Sequence, residues 1–575
     1  MSVTWGQVAR WSGAPLRAAE DALTASRTEL LGCADELRTM AGPARWAGPA
    51  SVTAGRRLRR VTDDLEVVIA EVSAARRAVI EAGDAVAGVE HAVDAAREFA
   101  AMHGLVIAGD GRVTDEAGLG MCFADPHDEE VAREGRQVLV DECVARVEQA
   151  LRTAADVDAD LVAVLTAVRD HRVADGSDDS LADAARTGDA AGHLSLLPPP
   201  TGGRPADNAG WWASLSPADR ERILEEHPDW VGGLDGIPMD VRDVANRTRL
   251  EEAGDGLRDR LDEILDALAA TPGGPYDGRY LALTAELGTV QQQLAAVDAL
   301  STILEDDDRH LLVLDLTAGQ RPQAVVAVGD VSSADHVAVF TPGLTSTVEG
   351  MGGYVADMAR LRAAAEDELF RTGDTGSVAT VVWLDYQAPQ WSSTFSGDSV
   401  ALAGSARDGG AALADFYRGL NASRETDPDL TALGHSYGST TTGYGLQHEG
   451  TGVDRAVFFG SPGLGTSDVD DLRLPSERAW YAEAKWDGVG DLGRFGRDPS
   501  ALDGIGHLQT GDASVDGRDY AGVSGHSSYL EAESTSQYNM ATVVAGHPEN
   551  AVEGNTVGLT DDPRAWSWWP SWLGG

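Results

Sequence analysis

Five consecutive residues, Gly434-His435-Ser436-Tyr437-Gly438, set a serine between residues compact enough for a sharp strand-to-helix turn, the geometry that exposes a hydroxyl as a nucleophile. A serine hydroxyl is a poor nucleophile at neutral pH. It needs a base within hydrogen-bond reach and an acid that orients the base, and together the three would perform acyl transfer. With 66 glycines in 575 residues the pattern arises by chance roughly 0.5 times in such a chain, so the surrounding elements decide its meaning.

Those elements favour a site. From His310 the runs "HLLVLDL" and "QAVVAVGD" are apolar and β-branched, and "TAGQRP" between them predicts a hairpin. "HVAVFTPGLTS" follows as a buried-type strand. Strands then alternate with helical stretches: "VATVVWLDY", a helix around Val400 to Leu420, "LTALGHS", a helix from Ser439, "RAVFFGSPG" and, last, "RAWYAEAKWDG". An antiparallel pair followed by repeated strand-helix units predicts an α/β domain with a mostly parallel sheet. Ser436 falls at the carboxyl end of a strand near the middle of that sheet, where such folds place their sites.

The preceding chain has a different period. Leu16, Leu23, Leu30 and Leu37 recur every seven residues, as do Leu58, Leu65, Val72, Val79, Val86 and Val93. With the companion track Val61, Val68, Ala75, Ala82, Val89 and Ala96 this predicts two long helices, folded back as an antiparallel hairpin at the Gly/Pro-rich "AGPARWAGPAS". Another seam, from Val140 to Val168, adds a helix. The small, polar and Pro/Gly-rich composition after it, up to about Gly210, predicts a linker.

Two resemblances attach to these stretches. Trp46-Ala47-Gly48 resembles the Trp-x-Gly turn of the small helical-hairpin proteins exported by the type VII secretion route of actinobacteria. The tyrosine-based signal that accompanies that turn does not follow the second helix, since no tyrosine precedes Tyr276. From Trp211 to His547 the chain resembles an actinobacterial α/β-hydrolase family of largely uncharacterised function, on the pieces Trp211-Trp212, "LDGIP" and "RDVANR" together with the elbow. Read on its own, Ser216-Pro217 is a helix start and "DGIP" a turn. The expected layout is a helical bundle over 1–175, a linker over 176–209, a helical lead-in packed on the catalytic domain over 210–305, and an α/β-hydrolase domain over 306–575.

The resemblance implies a triad in the chain order Ser, Asp or Glu, His. It points to Asp487, in the loop after the next-but-one strand from Ser436, with Asp491 as the alternative. For the base it points to His526, in the Gly/Ser-rich loop "AGVSGHSSYL", with His507 as the alternative; His547 also follows Asp487. Two backbone N–H groups should receive the oxyanion: that of Tyr437, and that of Leu344 or Thr345 in "TPGLTS", where Thr341-Pro342 replaces the His-Gly opening common in lipases and esterases. Gly434 and Gly438 complete the elbow, and His435 reads as a packed neighbour of the nucleophile.

This reading is a serine hydrolase acting on a small-molecule or lipid-like ester, or an amide, without metal or organic cofactor. The rival is a secreted or scaffold protein that uses the helical module and the hydrolase-fold domain for binding, with a helical partner or a second copy on the bundle. A net charge of -48 opposes binding to nucleic acid or an anionic membrane surface. Cys33, Cys122 and Cys143 are too far apart for a disulfide framework or zinc site. No window is apolar enough for a membrane span, and "MSVTWGQVARWSGAP" is no signal peptide, so cytoplasmic residence or export by another route is expected. "GSPGLG" lacks the Gly-Lys-Ser/Thr of a phosphate loop, "EDDDRH" reads as a solvated helix end, and Trp566, Trp568, Trp569 and Trp572 as a docking tail. The stretches Leu464 to Pro475 and Tyr386 to Ser399 are the expected pocket walls.

Overall fold

The computed structural model describes residues 3–40, 48–120, 122–178, 180–271, 274–317, 319–390, 399–489 and 495–554. Trp46, Ala47, Asp491, most of the loop from Tyr386 to Ser399 and the four tail tryptophans lie outside the described residues. The chain divides into a helical unit (1–118, 139–203 and 210–226) and an α/β unit (119–138, 204–209 and 227–575).

In the helical unit, α1 (Ala14–Met40) and α2 (Pro49–Met102) run antiparallel as predicted. Leu30 and Leu31 pack beside Ile69, and Arg27 Nε donates to Ser73 Oγ at 2.9 Å. The third helix, α3 (Pro126–Arg169), covers the heptad seam of α2 with Val147, Ala150, Ala154 and Val157. Burial of the seam starts near Ile69; Val61 and Val68, further back along it, are exposed. Part of the predicted linker is helical. Ser180 caps α4 (Leu181–Ala191) by accepting the Asp183 N–H at 3.1 Å, and a Cβ at Gly188 would overlap the Ala70 carbonyl of α2. The small residues that read as linker are what allow two backbones to approach.

The lead-in divides differently from its predicted packing. Residues 210–226 belong to the helical unit, where Trp211 is fully buried with its Nε1–H on the Leu197 carbonyl at 3.1 Å. Ser214 Oγ shares a 2.6 Å hydrogen bond with Thr153, and the backbone around Ser214–Ser216 lies against Gly88. Ser216 caps the next helix through the Asp219 N–H at 3.1 Å, as the Ser-Pro signal predicts.

The α/β unit holds one sheet of eight strands: β1 (Arg309–Asp315), β2 (Gln323–Val328), β3 (His336–Thr341), β4 (Val378–Leu384), β5 (Asp429–His435), β6 (Arg455–Phe459), β7 (Ala479–Ala482) and β8 (Gly506–Leu508). Their order is β1-β2-β4-β3-β5-β6-β7-β8; β2 is antiparallel to both neighbours, and β3 to β8 run parallel. Every residue of β4 is buried, as befits a strand covered on both faces. Flanking helices include α5 (Met239–Ala269), α6 (Gly278–Ile303), α7 (Met351–Thr372), α8 (Ser399–Ala422), α9 (Tyr437–Leu446) and α10 (Thr535–Val544). The sheet does not end at β7 as the sequence predicts. At three residues β8 is too short to show a period, and it is fixed by parallel pairing, His507 opposite Tyr481.

The edge strand β1 is closed by the "RDVANR" stretch of α5, whose polar residues share one helix face at i, i+1, i+4 and i+5. Arg242 Nε donates to the Leu312 carbonyl at 2.8 Å, Asn246 Nδ2 to that of Leu311 at 3.0 Å and Arg247 Nη2 to that of Arg309 at 2.6 Å. Asp243 accepts the Leu311 N–H at 2.6 Å. These bonds occupy backbone groups that an open edge would offer to another chain.

Candidate active site

Strand β5 ends at His435 and α9 begins at Tyr437, so Ser436 alone makes the turn. Its φ of 56° and ψ of -130° are strained for a residue with a Cβ, at a cost of about 1–3 kcal/mol, and its N–H donates to the Phe459 carbonyl of β6 at 3.0 Å. Tight packing accounts for the flanking glycines. A Cβ at Gly434 would lie 2.6 Å from Ser439 Cα, and one at Gly438 would overlap the Thr341 carbonyl of β3.

Ser436, Asp487 and His526 come from three separate loops and meet. His526 Nε2 is 2.7 Å from Ser436 Oγ, and its Nδ1 is 2.9 and 3.0 Å from the two Asp487 oxygens. Asp487 can only accept, so the network assigns the proton to Nδ1 and leaves Nε2 to take the serine proton. Burial pushes the Asp487 carboxyl up, but hydrogen bonds from His526, Tyr529 and the Val489 N–H outweigh it and hold the group below the usual carboxylate range.

His435 faces His526 from behind the turn. Its Nε2–H donates to the His526 carbonyl at 2.7 Å, and its ring stacks on Phe459 with centroids 5.2 Å apart. Burial and the neighbouring His526 bring its pKa down to about 4, so it is a neutral donor that holds the His526 backbone.

The loop after β3 passes directly over Ser436: a Cβ on Gly343 would sit 2.7 Å from Ser436 Cβ and 3.1 Å from its Oγ. Tyr386 Oη pins this loop by donating to the Pro342 carbonyl at 2.6 Å. Of the two alternatives for the second oxyanion donor, Thr345 spends its N–H on the Pro389 carbonyl at 2.8 Å, whereas the Leu344 N–H makes no hydrogen bond among the described residues. Tyr437 opens α9, which sets its backbone at the positive end of the helix.

His507 lies on β8, where its carbonyl accepts the Gly554 N–H, and His547 bonds Glu549 and Thr372; neither is brought to Ser436. His310 of "EDDDRH" is taken by Asp243. Ser461 of "GSPGLG" accepts from Ser439 Oγ at 2.6 Å beneath the elbow. Within the expected wall from Leu464 to Pro475, Leu464, Leu472 and Leu474 are core residues, and it is Phe495 that meets Tyr437 edge-on at 5.7 Å. One residue of the cluster is not among the expected site residues: Tyr529, whose hydroxyl donates to Asp487 Oδ2 at 2.6 Å. Its only sequence signal is a place three residues after His526. Among the described residues no His, Cys, Asp and Glu side chains gather into a group that could hold a metal ion, and no helix is long and apolar enough to cross a membrane.

Comparison with known proteins agrees with the sheet and its turn. A family model described as alpha/beta hydrolase matches residues 318–497, a stretch that includes Ser436 and Asp487 and stops short of His526. An uncharacterized protein of Mycobacterium tuberculosis is 27% identical over 399 residues, 64% of this chain and 59% of that protein. An uncharacterized protein of Mycobacterium bovis is 33% identical over 235 residues, 39% of this chain and 82% of that protein. The chain thus spans 59% of the length of the first of these relatives. No solved structure matches it at a significant level.

Proposed function

This chain belongs to the α/β-hydrolase family, and on that premise we propose that it is a serine hydrolase that cleaves an ester, with an amide as the less favoured substrate. The observation that carries the reading is one imidazole bridging Ser436 Oγ and the Asp487 carboxylate at hydrogen-bond distance on both sides. Ser436 Oγ attacks the substrate carbonyl as its proton passes to His526 Nε2, and the imidazolium is stabilised by Asp487 through Nδ1–H. The oxyanion is received by the Leu344 and Tyr437 N–H groups. Collapse of the tetrahedral species expels the alcohol, which takes the proton from Nε2. Water then repeats the sequence on the acyl-serine and releases the acid. Asp487, His526 and Ser436 supply all the proton transfers this sequence needs.

A fluorophosphonate probe tests the reading. Wild type labels and Ser436→Ala does not, and the variant loses on the order of 10⁴ to 10⁶ in turnover on a p-nitrophenyl ester. Folded wild type that refuses the probe, or a Ser436→Ala variant as active as wild type, would sink it. The exposed valines of α2 support a subsidiary role for the helical unit in binding a helical partner.

A further inference from the structure

Behind the acid stands a buried tyrosine, Tyr529. Asp487 is almost wholly buried, and its carboxylate accepts from three donors: His526 Nδ1–H, the Val489 N–H at 3.0 Å on Oδ1, and Tyr529 Oη–H at 2.6 Å on Oδ2. Tyr529 is itself buried, and its oxygen accepts the Ala484 N–H at 2.8 Å. That backbone bond fixes the direction of the phenolic proton. The amide at Ala484 must donate, so the oxygen acts as acceptor on that side and its single hydrogen is left for the carboxylate. A tyrosine buried only for its ring would find a carbonyl as easily as the acid of a triad.

Resting on the serine-hydrolase reading, we infer that Tyr529 is a positioning residue of the reaction, which extends the relay from the Ala484 amide through the phenol to Asp487, His526 and Ser436. The phenol acts in two ways. It holds the carboxylate against rotation, so that the plane facing His526 Nδ1 is kept, and it draws charge from Oδ2, which tunes how strongly Asp487 stabilises the imidazolium. Because Tyr529 and His526 share one loop, the base and the orientation of its acid are set together. The other titratable groups facing this set are His435, with its ring 5.9 Å from that of Tyr529, Glu483 and Tyr481.

Tyr529→Phe keeps the ring contacts with Phe459 and His435 and removes the hydroxyl, which is both the donor to Asp487 and the acceptor of the Ala484 N–H. Ester hydrolysis should lose roughly tenfold in kcat with KM unchanged. The acid limb of kcat/KM should move to higher pH by roughly half a unit, because a carboxylate without its phenol is more basic and holds the imidazolium longer. In an Asp487→Ala background the same change should cost less than twofold, since its route of action is gone. A 3-fluorotyrosine at 529, equal in fold and a stronger donor, should move the limb the other way. Wild-type kcat and pH limb in Tyr529→Phe, equal losses with and without Asp487, or a fluorinated variant that shifts the limb upward would each overturn the inference while Ser436 labelling persists. Wild type that fails to label overturns it together with the reading it rests on.

Discussion

Gly460, at the end of β6, has φ of +57°, and a Cβ built on it would lie 2.7 Å from Asp487 Oδ2, 3.1 Å from Tyr529 Cε2 and 3.2 Å from His526 Nδ1. Replacement by alanine therefore drives a methyl group into the hydrogen bond between acid and base. An unstrained carbon-to-oxygen contact is about 3.3 Å or more, so Oδ2 would have to retreat by roughly 0.6 Å. It has little room to do so, being buried and held by Tyr529, while the Val489 N–H holds Oδ1 of the same carboxylate. Since a misplacement of about 1 Å in a catalytic group costs on the order of 100-fold, Gly460→Ala should lower kcat roughly 10- to 100-fold with KM little changed. The positive φ adds about 1–2 kcal/mol of backbone strain, read as a thermal midpoint lower by a few degrees. Steady-state hydrolysis of a p-nitrophenyl ester, with thermal unfolding on the same sample, measures both. A folded Gly460→Ala enzyme with kcat within twofold of wild type would refute the claim that this contact governs turnover.

Two further outcomes follow from charge and from the sheet edge. His435 has its pKa lowered from 6.5 to about 4 in the folded chain, so between those values the unfolded chain binds a proton that the folded one refuses, and stability falls as pH drops from 6.5 toward 4. The loss is up to about 3 kcal/mol, and His435→Gln, which keeps an amide donor near the Nε2 position, should flatten that slope in urea titrations. Asp243→Ala strips the Leu311 N–H of its acceptor and takes the carboxylate from Arg247, which keeps the Arg309 carbonyl; it should cost about 2–4 kcal/mol in urea unfolding while the folded chain keeps its kcat.

The long β-branched runs made β1 to β7 visible in the sequence, and the requirement for compact residues in a tight turn made the elbow visible. Asp487 and His526 were reachable through the resemblance and their loop positions, and the chain does bring both to Ser436. What stayed hidden has a common cause: the deciding contact lies far along the chain. Tyr529 meets Asp487 across 42 residues, and nothing local distinguishes it from a core tyrosine. The apolar area of Trp211 says that the ring is buried, not which core receives it. In the same way, a glycine such as Gly188 reads as flexible spacer until the second helix that needs its missing Cβ is known. The polar face of α5 was open to reading, because residues at i, i+1, i+4 and i+5 able to bond a backbone mark a helix laid along a strand edge.

The α/β unit recruits residues 119–138 from far upstream, where His127 Nε2 bonds the Leu474 carbonyl at 2.8 Å and Asp128 accepts the Ser476 N–H at 2.9 Å. These partners are separated by 347 and 348 residues. At a synthesis rate of about 5–20 residues per second, the early segment emerges roughly 20 to 70 seconds before the ribosome has made what it binds. A gene fragment beginning at residue 227 would never supply that segment, leaving the Leu474 carbonyl and the Ser476 amide to water.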